Sequence, residues 1–372
     1  MADAHGLRPV RRSAAGARRR SLRAVGDAQP VTTGRATLES RLKSRARELG
    51  FDPVGITRLG AAGTFEAFDR WLERGYAGEM TYLSRGAARR RDTTLPLAGA
   101  RSAIVVALDY GGKQAAGPIA RYARGADYHD VMMARLDELR RHVEHECGHA
   151  VTAKPYVDTG PILERDLAQR AGLGWIGKNT NLINPGRGSF FFLGTLLLDL
   201  ELEPALPFEA DRCGTCTRCL EACPTDAFVE PRVLDATKCI SYLTIEHRTE
   251  IAPALRPLMG ELIYGCDICQ DVCPWNHRFA SETPDAALAP RAENVDPEPR
   301  DLLALTEAQY RERFQGTAIT RAKRRGLARN AAIALGNRRK PGDGAALTAA
   351  LEDPDPLVRS HAAWALEQLE RL

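Results

Sequence analysis

Cys213-Gly-Thr-Cys216-Thr-Arg-Cys219-Leu-Glu-Ala-Cys223-Pro224 is the stretch on which the reading of this chain turns. Three thiols at two-residue gaps, then a fourth after three residues with proline behind it, form the ligand run of a ferredoxin-type 4Fe–4S cluster. The tight spacing wraps one loop around three irons, and the fourth thiol serves a second cluster. A second cysteine group must therefore follow. Cys239 stands alone downstream, and Cys266-Asp-Ile-Cys269-Gln-Asp-Val-Cys273-Pro274 repeats the ending of the first run. Pairing the runs crosswise puts Cys213, Cys216, Cys219 and Cys273 on one cluster and Cys223, Cys239, Cys266 and Cys269 on the other. A zinc site would use four thiols and would not need eight with Cys-Pro endings on both runs. Disulfide frameworks belong to small secreted domains, and this chain of 372 residues carries no secretory signal. Cys147 fits neither run and reads as a structural thiol.

A chain of this length can bury a large core and divides into two or three domains. No run of 18 or more apolar residues exists, so no membrane helix is expected. Thiolate-bound clusters without a signal peptide point to the cytoplasm. The net charge of +4 is unevenly spread. Residues 1–35 hold eight Arg and two Asp, and residues 311–340 hold ten Lys or Arg and one Glu. A basic C-terminal patch on an otherwise acidic body implies a docking face for a polyanion.

Residues 1–35 are Arg-, Ala- and Gly-rich and read as a disordered basic tail. Arg11-Arg12 and Arg19-Arg20 lack the apolar core of a twin-arginine signal. Thr37 can cap a helix that stops at Gly50. Strands are expected at Phe51 to Ile56, Ser102 to Leu108, Lys154 to Val157 and Phe190 to Leu198. Helices are expected at Phe65 to Glu73, Val131 to Cys147 and Ile162 to Ala171, the last with Pro161 at its start. Alternating strands and helices make residues 36–205 an α/β domain. The cluster domain covers 206–280, and 281–300 is a linker or draped loop. Residues 301–372 are helical, and Asp353-Pro354-Asp355-Pro356 leads into a HEAT-type helix.

Clusters alone only move electrons, so the α/β domain must hold what receives them. It has no Gly-x-Gly-x-x-Gly after a strand and no Walker loop, which leaves nicotinamide and nucleotide binding without support. Asp127-Tyr128-His129 invites comparison with the axial-histidine cobalamin motif Asp-x-His-x-x-Gly. Met132 occupies its Gly position, so that motif gives His129 no role as a cobalt ligand. Tyr156-Val-Asp158-Thr-Gly160-Pro161 places Asp158 between a strand and a helix, either facing a ligand crevice or capping the helix. Gly172-Leu-Gly174-Trp-Ile-Gly177-Lys178-Asn179-Thr-Asn181 is a tight, Gly-rich loop with polar donors, readable as a ligand loop or as a structural turn. Arg321, Lys323, Arg324, Arg325 and Arg329 lie along one helix. They are either a solvated face or a set of phosphate contacts giving salt-dependent RNA or DNA binding. No aromatic RNA-recognition signature accompanies them, so docking by shape and backbone is expected.

Taken together these segments resemble the epoxyqueuosine reductase family over residues 36–372. The resemblance rests on Arg121-Tyr-Ala-Arg-Gly-Ala-Asp127-Tyr-His129, Val157-Asp158-Thr-Gly-Pro, Gly174-Trp-Ile-Gly-Lys-Asn-Thr, both cysteine runs with Pro274-Trp-Asn276, and Arg329-Asn330 to Leu335-Gly336-Asn337. It implies an α/β cobalamin-binding domain, a ferredoxin-like di-cluster domain and a HEAT-like tRNA-binding domain. It implies two 4Fe–4S clusters fed by an external electron donor, and cobalamin without a protein ligand beneath cobalt. The implied reaction takes epoxyqueuosine in tRNA to queuosine, with Asp158 as catalytic acid beside the cobalamin. Lys178, Asn179 and Asn181 would lie near the cobalamin side chains, and Asp267 and Val272 near the corrin edge. The C-terminal helices would hold the tRNA while the wobble nucleotide is extended into the site. A monomer is expected.

Three rivals remain at this stage. A reductive dehalogenase also couples cobalamin to two clusters, but it would carry an export signal and no basic helical tail. A ferredoxin-like electron carrier would bind no corrinoid, and an RNA-binding scaffold with a structural cluster would be indifferent to loss of reducing equivalents.

Overall fold

The structure, a computed structural model, describes residues 36–282 and 285–370. The tail expected over residues 1–35 lies outside the described residues. Helix α1 (Leu38–Glu48) starts where the hydroxyl of Thr37 accepts from the Ser40 amide at 3.2 Å. It ends before Gly50, whose φ of +89° is open to glycine. Strand β1 (Val54–Arg58) begins later than its apolar run, because Pro53 has no N–H to give a ladder. Helix α2 (Phe65–Glu73) has the bounds its aromatic spacing predicts. Then follow β2 (Ser102–Asp109), α3 (Tyr128–Cys147), β3 (Ala153–Tyr156), α4 (Glu164–Arg170) and β4 (Phe191–Leu198). Helix α3 starts three residues earlier than the apolar pattern predicts, because Asp127 caps it by accepting from the His129 amide at 3.0 Å.

The sheet order is β1-β2-β4-β3, and all three pairings are antiparallel. The α/β reading drawn from alternating strands and helices left strand direction open. Central strands covered on both faces read as unbroken apolar runs whichever way they pair, so direction was hidden. Every residue of β2 is buried. Ile104, Val106 and Leu108 face Leu42 of α1 and Met132, Leu136 and Leu139 of α3, in the same core as Leu196 and Leu198. Ala103, Val105 and Ala107 turn the other way, onto Leu167, Ala168 and Leu197. Gly194 makes the first packing possible, since a Cβ there would sit 2.9 Å from the Met132 methyl.

The segment expected over 281–300 as a linker or draped loop carries short helical turns at Ala286–Leu288 and Ala292–Val295. Asn294 is fully buried, and the Arg291 amide donates to the Arg124 carbonyl at 2.9 Å. Beyond it, α5 (Lys323–Arg338), α6 (Gly344–Ala350) and α7 (Pro356–Glu370) pack together. Every residue of α5 from Gly326 to Gly336 is buried. Among the described residues no helix is long and apolar enough to cross a membrane.

Candidate active site and cluster region

Strand β3 ends at Tyr156, and Val157 is buried behind it. Asp158 then takes φ +60°, a left-handed conformation uncommon outside glycine and concentrated at functional loops. Gly160 closes the loop against the Tyr156 ring, where a Cβ would stand 2.4 Å away. Three contacts fix Asp158. Its Oδ2 accepts from the Tyr128 hydroxyl at 2.8 Å. Its amide donates to Glu164 Oε1 at 2.7 Å. His129 Nε2 stands 3.8 Å from Oδ2. The Asp158 side chain is nevertheless 66% exposed, so the carboxylate faces outward from a braced backbone. It does not cap α4, whose preceding residue Leu163 makes no side-chain cap bond.

The surroundings are aromatic and titratable. Tyr128 stacks on Phe192 at 4.1 Å and 6°, and Tyr122 meets both rings edge-on. Burial, reinforced by the Asp158 charge, drives the Tyr128 phenol far above its ordinary value. Burial and then the Asp158 charge push the Glu164 carboxyl up to about 8. His129 Nδ1 lies 2.7 Å from Asp127 Oδ1, while its buried Nε2 has no hydrogen-bond partner among the described residues. Burial opposes the His129 charge, but Asp127 outweighs it and the imidazole is raised. Sequence reasoning considered Tyr128 and His129 only against the axial-histidine motif. Their place at the N-terminus of α3, facing the Asp158 loop, depends on tertiary packing.

Cys239 and the seven cysteines of the two runs come together in two neighbouring groups. Burial pushes Cys219 up to about 11, and the thiols acting on it are Cys213, Cys273 and Cys216. Burial pushes Cys266 up to about 12, with Cys239 and Cys223 acting on it. Cys269 feels Cys266 and Cys239, and Cys219 across the groups. Four sulfurs around one zinc would lie about 3.8 Å apart, given Zn–S bonds of about 2.3 Å. Among the described residues, only His142, His145 and Glu146 bring three such ligand atoms within 4.8 Å of one another. The thiols therefore stand too wide for a single zinc, and their number and grouping fit two cubane clusters. Cys147 lies apart from them, half-buried against the main core.

The Gly-rich segment after α4 grips these cysteine loops. Lys178 Nζ donates to the carbonyls of Gly214 and Cys216 at 2.7 and 3.0 Å. The Trp175 indole N–H points at Cys213 Sγ at 3.4 Å, and Asn179 Nδ2 donates to the Cys269 carbonyl at 3.3 Å. Asn181 gives its amide to Asn179 Oδ1 and is half-buried, as is Val272. Asp267 is buried and accepts from the amide and Nη1 of Arg121 at 2.9 and 3.0 Å. Arg121 adjoins Tyr122, so the second cysteine loop abuts the aromatic floor beneath Asp158. Lys178, Asn179 and Asp267 thus each make contacts to the cluster loops or to Arg121. The sequence placed them against a cofactor; in the structure their polar atoms brace the cluster loops.

The basic helix needs a similar correction. Arg329 is fully buried, and its guanidinium donates to the carbonyls of Leu243, His247 and Thr249 at 2.6, 2.9 and 2.9 Å. Asn330 adds bonds to Thr244 and Ile263, and Asn337 to Arg256 and Gly260. Arg329 therefore cannot reach a phosphate and fastens α5 to the cluster region instead. Arg324 is paired with Asp353 and mostly buried. Arg321 pairs with Glu246, and Arg325 with Asp355, but both remain about half exposed. Lys323 is exposed. The charge count over 311–340 missed these acids because most lie outside that window.

Comparison with known proteins agrees with this arrangement. A family model described as epoxyqueuosine reductase QueG, DUF1730, matches residues 90–159, and one described as a 4Fe-4S double cluster binding domain matches residues 212–276. The chain is 42% identical over 344 residues to the epoxyqueuosine reductase of Salmonella typhimurium, covering 89% of this chain and 88% of the relative. It is 41% identical over 348 residues to the Escherichia coli epoxyqueuosine reductase, covering 90% of each. Among solved structures, an epoxyqueuosine reductase with an epoxyqueuosine-modified tRNA-Tyr stem loop superposes with a TM-score of 0.81 and 31% identity, covering 89% of this chain and 90% of that one. The Bacillus subtilis enzyme, with its catalytic loop swung out of the active site, gives 0.80 and 29%, with the same coverage. A chain so alike over nine-tenths of its length, with the double-cluster cysteines in place, belongs to the epoxyqueuosine reductase family of oxidoreductases.

Proposed function

We propose that this chain reduces epoxyqueuosine to queuosine at the wobble position of tRNA, with Asp158 as proton donor. The observation that carries this reading is Asp158 itself. Its carboxylate is outward-facing, its left-handed backbone is braced by Glu164, and it is held by Tyr128, which stacks on Phe192. The sum of the reaction is two electrons and two protons in, the epoxide oxygen out as water, and a carbon–carbon double bond in its place. Cys213, Cys216, Cys219 and Cys273 would hold one 4Fe–4S cluster, and Cys223, Cys239, Cys266 and Cys269 the other. The outward Asp158 carboxylate fits a ligand docked on this face, which cobalamin would occupy. Asn181 and Val272 keep free surface and would hold it. When bound, cobalamin supplies the low-potential chemistry that opens the epoxide, with electrons passed singly through the clusters from an external donor.

The chain's own tasks follow. Asp158 holds a proton for the departing oxygen, and Tyr128 fixes the carboxyl that delivers it. Lys178, Asn179 and Trp175 hold the cysteine loops and place N–H groups at sulfur and carbonyl, which tunes potential. Arg321, Lys323 and Arg325 supply phosphate contacts on a HEAT-like C-terminal platform. The partly exposed ion pairs of Arg321 and Arg325 are worth about 0–1 kcal/mol and exchange readily for a phosphate, and Lys323 is exposed. The test is anaerobic reconstitution with iron, sulfide and cobalamin, then assay on epoxyqueuosine-containing tRNA with a low-potential reductant. Queuosine formed by the wild type and lost in Asp158→Ala, with corrinoid still bound, supports the reading. Bound corrinoid without product from the wild type overturns it.

A further inference from the structure

The reaction proposed above removes one oxygen with two protons, yet the Asp158 carboxyl carries only one. A cofactor and a nucleotide docked on this face would cover the carboxylate, and a protein group beside it would then supply the second proton. Tyr128 already donates to Asp158 Oδ2, and its buried phenol holds its proton too strongly to give it up. Glu164 is turned to the Asp158 backbone, where Oε1 accepts the amide hydrogen. One group remains on the carboxylate side. His129 follows directly from the cap of α3, and Asp127 Oδ1 takes both its amide and its Nδ1 hydrogen. That bond fixes the tautomer: Nδ1 stays protonated, and Nε2 is the nitrogen that gains and loses a proton. Nε2 is buried, has no hydrogen-bond partner among the described residues, and stands 3.8 Å from Asp158 Oδ2. Such distances commonly shorten when a site is filled.

We infer that His129 is a positioning residue that reloads Asp158: its Nε2–H passes a proton to the Asp158 carboxylate after the carboxyl has protonated the departing oxygen. The N–H bond breaks, the O–H bond forms, and the imidazolium becomes neutral imidazole, recharged from solvent once the face opens. Asp127 and Asp130 on α3, together with Asp158 on the opposing loop, are the charges that face the ring. All three raise the His129 value against the effect of burial.

The inference rests on the proposed reaction, so its test has one readout that needs no turnover. Ring signals of labelled histidine in the full, cluster-loaded chain are titrated by NMR, with His129 assigned by its loss in His129→Gln. The wild type should titrate above ordinary histidine, and Asp158→Asn should lower that midpoint. An unmoved midpoint overturns the coupling. In single-turnover assays, His129→Gln should slow queuosine formation by about tenfold or more, consistent with a general acid–base contribution. It should also abolish the alkaline limb of the rate profile that coincides with the His129 midpoint. Imidazole in the buffer should restore rate to His129→Ala, while Glu164→Gln keeps the limb. A limb that survives His129→Gln, or moves with Glu164→Gln, overturns the assignment. If the wild type forms no queuosine, the proposed reaction falls, and the NMR titration still decides whether His129 and Asp158 are coupled.

Discussion

The ammonium of Lys178 lies 3.0 Å from the carbonyl oxygen of Cys216, and the same nitrogen reaches Gly214 at 2.7 Å. A residue of the sheet domain thereby clasps the first cysteine loop by its backbone. Hydrogen bonds to a charged group are worth about 1.5–3 kcal/mol. Lys178→Met should therefore leave the fold intact while speeding iron loss from the first cluster. Iron content and visible absorbance after timed exposure to a chelator measure this; unchanged release would show that the clasp contributes nothing.

Tyr128→Phe removes the hydroxyl on Asp158 and keeps the stack on Phe192. The carboxyl loses its orienting donor but stays in place. The expected outcome is a fall in kcat of about tenfold, equivalent to about 1.4 kcal/mol, with Tm nearly unchanged. A parallel drop in Tm would instead mark Tyr128 as structural.

Glu164 gives a pH dependence of definite sign. Burial and Asp158 push its carboxyl up to about 8 from the ordinary 4.5. A carboxyl raised on folding binds its proton more tightly in the native state. Its contribution to stability is fully present below pH 4.5 and is lost as pH rises through about 8. Across that window the Tm of the wild type should decline more steeply than that of Glu164→Gln. Equal slopes would refute the assignment.

Arg329 and Lys323 sit on one helix and should behave oppositely. Arg329→Ala leaves the buried carbonyls of Leu243, His247 and Thr249 without donors and should cost about 3 kcal/mol or more. Lys323→Ala and Arg325→Ala should leave Tm alone, weaken tRNA binding and each lower the salt slope by about one. Thermal melts and binding isotherms over a range of salt separate the two classes.

Much of the architecture was readable from local pattern. Cysteine spacing, the Thr37 cap, the α2 aromatics and the β2 run are short-range signals whose physics is complete within a few residues. Strand direction was not readable, because buried strands look alike whichever way they pair. The contacts of Lys178 and the burial of Arg329 were hidden for a related reason. A cation in a polar loop or a basic run looks free until the carbonyls it binds, tens of residues away, are brought to it. Asp158 could be singled out from its position after a strand, but its partners Tyr128, His129 and Glu164 are assembled by the packing of α3 and α4 on the sheet.

The bonds from Arg329 and Asn330 have a consequence for how the second cluster is assembled. They anchor Leu243 to Thr249, just after Cys239, and Ile263, just before Cys266, to one buried helix. The loop that separates these two ligands is thereby closed during folding of the C-terminal helices. Part of its closure entropy is then met by these hydrogen bonds and not by iron binding alone. Substitutions on α5, remote from any sulfur, should thus reach the second cluster as a change in its affinity for iron.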